Sequence, residues 1–327
     1  MPARRRALLT LALLALTSLA SLAVALATGS LSIGFGEVLA ALGGADTPAR
    51  SIILDLRLPR ALAGFACGGL LALAGTLMQV LLRNPLADPY VLGISGGAGV
   101  GALLALLLGL TGLLVPGFAF GGALAAMLLV FGLAHGDGSW TQTRLLLTGV
   151  VVAAGCGAVV ALILGIAPEQ KIHGMLFWLM GDLSQAAEAA PVLALLALTL
   201  AVALPFAREL NLLARGADQA LALGVAVPAL RRIVYAIASL ATAGAVATAG
   251  SIGFVGLIVP HLVRLAIGSN MGNDHRLLLP AAALAGGSLL VLADTLARTI
   301  VAPVQLPVGV LTALIGVPVF LYLLGRK

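Results

Sequence analysis

The sequence predicts an all-α, polytopic membrane protein of ten transmembrane helices in a single domain spanning 1–327, and three observations predict it. Of 327 residues, 61% are hydrophobic and only 9% are charged, whereas a soluble domain carries roughly a quarter charged residues. The apolar residues gather in charge-free windows, each near the ~20 residues that cross ~30 Å of hydrocarbon at ~1.5 Å per residue. Lys and Arg stand between those windows, with a strong bias to one side of the expected membrane.

The windows are 7–28, 61–82, 91–109, 113–134, 145–166, 190–207, 233–250, 252–267, 277–297 and 306–324. Charges bracket them because one at the bilayer centre costs about 2.5–3.5 kcal/mol or more. In the first, Arg4, Arg5 and Arg6 precede an apolar run ending Ala-Leu-Ala-Thr-Gly, which imitates a secretory signal. Its length and the many spans after it predict an uncleaved first span. The connection 29–60 is polar, with Glu37, Asp46, Arg50, Asp55, Arg57 and Arg60. Between Asp88 and Asp137 the apolar stretch is too long for one helix and is expected to divide at Leu113–Pro116. The stretch 233–263 is expected to break at Gly250–Gly253. The connection 209–232 is long and mixed, and its Leu212, Leu213, Leu221, Leu223 and Val225 predict a short amphipathic helix pair on the surface.

An even number of spans puts both termini on one side. Alternating from an inside N-terminus leaves Arg83, Arg144, Arg208, Arg215, Arg231, Arg232, Arg264, Arg276 and the basic termini inside. Arg50, Arg57, Arg60, Lys171 and Arg298 fall outside. That distribution supports the count and the orientation together.

Several function classes are excluded or poorly supported. The net charge of +6 is scattered singly between apolar runs, not gathered into a stripe, so nucleic acid is not the partner. A phosphate-cradling P-loop requires a Gly-Lys pair, and the two lysines, Lys171 and Lys327, follow Gln170 and Arg326. Nucleotide hydrolysis therefore needs another subunit. His135, His173, His261 and His275 are scattered without HExxH, so no catalytic or metal set is expected and no cofactor is implied. Cys67 and Cys156 read as small core residues. Asp294, with Arg298 at i+4, reads as a local ion pair near an outer helix end. His261 reads as a residue bonded to a neighbouring carbonyl, and His173, Met175 and Met180 fall near the expected pore mouth.

A series of segments now carries a resemblance. They are RLPR at 57–60, GTLMQ at 75–79, RNPLADP at 83–89, LGISGGA at 92–98 and FWLMG at 177–181. IGFVGLIVPHLVR at 252–264, DHR at 274–276, ADTLAR at 293–298, LPVGV at 306–310 and GVPVF at 316–320 follow. In this order they resemble the FecCD family, the membrane permeases of bacterial type II ABC importers for cobalamin, haem and iron–siderophore complexes. The resemblance implies the type II importer permease fold in the bacterial inner membrane, among membrane lipid, with both termini cytoplasmic. It implies a second copy of the chain, two ATP-binding cassette subunits inside and a periplasmic substrate-binding protein outside.

Three sets of positions match the family's working parts. Arg57, Arg60 and Arg298 correspond to outward arginines that dock the binding protein. Leu212, Gly216, Leu223 and Gly224 correspond to coupling helices seated in the ATPase. Asn84 and Leu86, with Gln142 and Thr143, correspond to the cytoplasmic gate. The chain departs from the family at Gly216-Ala217-Asp218, where Gly-Glu is usual, at Gln305 for Glu and at Ser251 for Pro. The implied cargo is a metal chelate, an iron–siderophore or haem complex, with cobalamin as the alternative. A stand-alone secondary transporter is the reading from another class.

Overall fold

A computed structural model describes residues 3–29, 31–134, 141–184, 186, 188–268 and 271–325. Among these the chain is entirely helical, without a strand. The helices are α1 (Ala3–Ala27), α2 (Phe35–Leu42), α3 (Leu58–Leu81), α4 (Ile94–Leu107), α5 (Leu114–Ala134), α6 (Gln142–Ile166) and α7 (Glu169–Met180). They continue with α8 (Ala190–Ala203), α9 (Ala207–Arg215), α10 (Ala217–Ala222), α11 (Val227–Ala249), α12 (Val255–Ile267), α13 (His275–Thr299) and α14 (Val308–Gly325).

Seven helical stretches are long and apolar enough to cross a membrane, and they contain α1, α3, α5, α6, α8, α11 and α13. Three shorter apolar helices, α4, α12 and α14, occupy the remaining windows. Both expected breaks are present. The first ends α4 at Leu107 and starts α5 at Leu114, so Pro116 falls in the opening turn of α5, where its missing N–H costs nothing. The second separates α11 from α12 at residues 250–254.

The bundle is organised around α3. In the most apolar part of that stretch 89% of residues are buried, against 17% for α1 and for α6. α13, α11, α12 and α8 surround α3, while α4 and α5 pack closely side by side. Lipid gives helices no hydrophobic reason to associate, so close packing depends on small residues. A Cβ on Gly68 of α3 would collide with the Gly286 carbonyl of α13, and one on Gly286 would meet Gly68 in return. Only two glycines fit that crossing. A buried Ser18–Ser288 hydroxyl pair, 2.9 Å apart, fastens α1 to α13.

α4 and α12 have 14 and 13 residues, about 20 Å each and too short for the hydrocarbon thickness. Irregular chain makes up the difference, and its polar groups are paired within the protein as a membrane interior requires. The Tyr90 hydroxyl donates to the Ile252 carbonyl at 2.9 Å and accepts from its amide at 3.0 Å. Ser95 and Ser251 hydroxyls lie 2.9 Å apart. Asp182 N–H reaches the Ala249 carbonyl at 2.9 Å. The segments preceding α4 and α12 thus meet inside the bundle.

Two expectations need correction. Helix does not start at 61 but at Ile52, through a π-helical turn over Ile52–Arg57. The window 190–207 does not end its helix, which runs from Ala190 to Arg215 through a 3-10 turn at Leu204–Phe206. The first helix of the expected amphipathic pair, α9, is therefore a continuation of α8 and not a separate surface element.

Candidate functional site

The sequence-expected residues fall at two ends of the bundle, named here by α3 residues near its ends, Arg60 and Gln79. At the Arg60 end, α3 and α13 bring Arg60 and Arg298 onto one carboxylate. Arg60 donates to Asp294 through Nη2 at 2.8 Å and through Nε at 3.2 and 3.0 Å, while its Nη1 donates to Gln305 Oε1 at 2.8 Å. Arg298 Nε lies 3.3 Å from the other Asp294 oxygen, an ion pair without hydrogen-bond alignment. Arg298 Nη2 instead donates to Thr295 Oγ1 and to the Ala25 carbonyl, both at 3.3 Å.

Arg57 is drawn elsewhere. Its guanidinium donates to the carbonyls of Leu26, at 2.7 Å, and Leu31. Arg57 and Arg298 thereby satisfy carbonyls in the last turn of α1, which carry the negative end of its dipole. Arg57, Asp294 and Arg298 are 5%, 3% and 9% exposed, and the Arg60 side chain 11%. This is one nearly dry cluster with three cations and one carboxylate, an arrangement that favours a further anion. Arg60, whose side chain also meets Gln305, is the member with the most access.

At the Gln79 end the turn after α3 holds Asn84 and Leu86, both exposed, with Asn84 Oδ1 accepting from the Leu86 amide at 2.9 Å. Gln142, at the start of α6, donates through Nε2 to the Leu81 carbonyl at 3.0 Å. That bond brings the two turns together, leaving Thr143 exposed beside it. Thr141 caps α6, its hydroxyl accepting from Arg144 N–H at 3.2 Å.

The expected amphipathic pair is α9 and α10. Leu213 is buried and Leu212 is partly buried against the core, whereas Leu221 and Leu223 are 53% and 66% exposed. Gly216 joins the helices at φ 149°, ψ 146°, which a side chain rarely tolerates, and so sets their mutual angle. Gly224 closes α10 at φ 82°. A cavity of about 740 Å³ separates α9 from α12, with Arg83, Arg215 and Arg264 on its walls. Arg264 donates to Gln79 Oε1 at 2.6 Å across its floor.

Elsewhere, Met175 is fully buried against Leu103 and Ile163, so it does not face a pore mouth. His173 packs against Phe177, the rings tilted by 44° with centroids 4.6 Å apart. His135 and the termini lie outside the described residues. Among the described residues no group of His, Cys, Asp and Glu is arranged to hold a metal ion.

Sequence reasoning missed two contacts. It paired Asp294 with Arg298 through the i+4 spacing, but the stronger bonds come from Arg60, 234 residues away. It also passed over Asn211, which joins α9 to α13 through three hydrogen bonds. No local spacing announces either contact.

Comparison with known proteins fits this architecture. The model of the FecCD transport family matches residues 13–326, and the chain belongs to that family. It is 43% identical over 287 residues to the cobalamin import system permease of Halobacterium salinarum, covering 87% of this chain and 76% of that one. It is 44% identical over 285 residues to the hemin transport system permease of Yersinia pestis, covering 84% of each. The Fe(3+) dicitrate transport system permease FecD of Escherichia coli is 42% identical over 282 residues, covering 84% of this chain and 85% of that one. A solved chain described as an inward-facing conformation of a metal-chelate type ABC transporter superposes with a TM-score of 0.84. It is 30% identical, over 98% of this chain and all of that one.

Proposed function

We propose that the chain is the permease subunit of an ATP-driven importer in the bacterial inner membrane, working as a homodimer with ten spans per copy and both termini inside. The observation that carries this reading is the polarity of the bundle. An anion-seeking arginine cluster stands at one end, a jointed amphipathic helix pair at the other, and the helices between are nearly free of charge. A separate ATPase fits the absence of any Gly-Lys pair in the chain.

In this reading Arg60, supported by Arg57 and Arg298, receives a carboxylate of a periplasmic binding protein. Long-range attraction between opposite charges speeds that encounter. Leu212, Gly216, Leu223 and Gly224 belong to the coupling pair that seats in the ATPase, with exposed Leu223 as its apolar contact. Closure of the two ATPase subunits moves the pair and rocks the spans between outward and inward access. Asn84, Leu86, Gln142 and Thr143 form the inner gate, where short side chains on helix ends narrow the path. The cargo is a metal chelate, an iron–siderophore or haem complex. Cobalamin is the second reading, because a relative named for cobalamin import is as similar as one named for hemin.

The test is reconstitution. The chain, its ATPase and its binding protein are placed in liposomes, and uptake of haem, a ferric siderophore and cobalamin is measured with ATP. Uptake of one chelate only when all three components are present is the expected result. Uphill uptake by the chain alone would instead establish a secondary transporter.

A further inference from the structure

α13 carries functional contacts at both of its ends. Its last turns hold Asp294 and Arg298, the partners of Arg60. Its first residues meet Asn211 of α9. The Asn211 amide Nδ2 donates to Asp274 Oδ1 at 3.0 Å, and Asn211 Oδ1 accepts from the His275 backbone amide at 2.9 Å. His275 Nδ1 lies 2.6 Å from the same Oδ1. An oxygen there makes Nδ1 the protonated nitrogen. His275 is 2% exposed, while Asn211 and Asp274 are half-buried on the wall of the cavity. Among the described residues, Asn211 carries the side-chain hydrogen bonds from α9 to the start of α13.

α13 is 25 residues long, about 37 Å, and its two junctions, at His275 and Asp294, stand about 28 Å apart along it. Pro280 interrupts its hydrogen-bond ladder near the Asn211 end. Beyond that point the helix lies along α3 through the Gly68–Gly286 crossing, where no side chain can give way. A close-packed rod of this kind moves as a piece, because packed interfaces shift between discrete arrangements and do not deform smoothly.

We infer that α13 is the strut that links binding-protein docking to the ATPase-coupling pair, and that His275 and Asn211 are the positioning residues that fasten it. The inference rests on the function proposed above and names the route by which its two ends communicate. A carboxylate docking at Arg60 competes with Asp294 for the guanidinium and so bears on α13. The far end of the same helix bears on α9 through His275 and Asn211.

The test uses the full complex in nanodiscs, with ATP hydrolysis measured alone and with cargo-loaded binding protein. His275→Leu removes the side-chain bond while filling the same buried space, and His275→Asn keeps a donor there. The expected result is that His275→Leu retains the ATPase subunits on purification and retains basal hydrolysis. Stimulation by the binding protein falls by about fivefold or more, the low end of ordinary coupling factors. His275→Asn recovers most of it. Asn211→Leu, which removes all three bonds, lowers stimulation at least as far, and the double variant is no worse than Asn211→Leu alone, because the His275 side-chain bond is already lost with Asn211.

Unchanged stimulation in His275→Leu overturns the strut. Loss of the ATPase subunits on purification, or additive losses in the double variant, also overturns it, since either outcome makes these residues part of general folding. If the unmodified complex shows no stimulation by any binding protein, the importer reading itself falls, and the strut with it.

Discussion

Arg60 on α3 and Asp294 on α13 form a buried, nearly bidentate ion pair, with Nη2 2.8 Å from Oδ1 and side chains 11% and 4% exposed. Arg298 shares the second carboxylate oxygen at 3.3 Å. Two cations that are held by one anion in a dry site leave the anion indispensable.

Asp294→Ala is therefore expected to destabilise the protein by about 3–5 kcal/mol, the cost of stranding a buried charge. Thermal unfolding of the detergent-purified chain reads this directly. A Tm equal to that of the unmodified protein would mean that the guanidiniums find solvent after all.

Arg60→Glu addresses docking, and its effect is read on the fraction of protein that remains folded, because it also takes from Asp294 its main partner. It reverses the most accessible charge of the cluster and places it beside Asp294. The affinity for the binding protein should fall, and its dependence on salt should flatten, because surface charge attraction is screened within about 8 Å at physiological ionic strength. Binding titrations at two salt concentrations check both effects. Identical affinity and salt slope would remove Arg60 from the docking surface.

Gly68→Val pushes a side chain into the Gly286 carbonyl. Overpacking of this kind costs about 1–3 kcal/mol, and more where backbone must yield. Gly253→Ala is the control, since nothing lies within 4 Å of a Cβ built there, and it should stay within about 0.5 kcal/mol. Equal unfolding temperatures for the two variants would contradict the close α3–α13 crossing.

Gln142→Ala cuts the tether from α6 to the Leu81 carbonyl. A hydrogen bond between neutral groups contributes about 0.5–1.5 kcal/mol, so the open state of the gate should gain roughly two- to tenfold in population. Passive ion leak through the resting complex in liposomes measures it. No increase in leak would show that this turn does not close the path.

Much of the fold is written in local pattern. The charge-free windows locate the apolar helices, and the Gly250–Gly253 break falls where a continuous apolar stretch exceeds one membrane thickness. What local pattern does not carry is direction. Arg57 was expected to face a partner like Arg60, yet it turns to the end of α1. Its neighbours in sequence are those of any helix-entry arginine, and the difference lies with carbonyls at Leu26 and Leu31. Asn211 is hidden for the same reason, because its partners Asp274 and His275 lie more than sixty residues on. Helix continuation past Leu204–Phe206 was missed because a charge-free window closes before Arg208, whereas the helix runs on through a 3-10 turn into its charged part.

The short lengths of α4 and α12 bear on biogenesis. A translocon that releases helices one at a time into lipid would have to expose the Tyr90 hydroxyl, and later the Ile252 amide and carbonyl, to hydrocarbon without each other. Tyr90 and Ser95 meet their partners Ile252 and Ser251 only when both segments are in place. Residues 1–249 truncated before α12 are thus expected to hold α4 and its lead-in at the translocon or with a chaperone, and membrane integration there completes late, after synthesis has passed the second break.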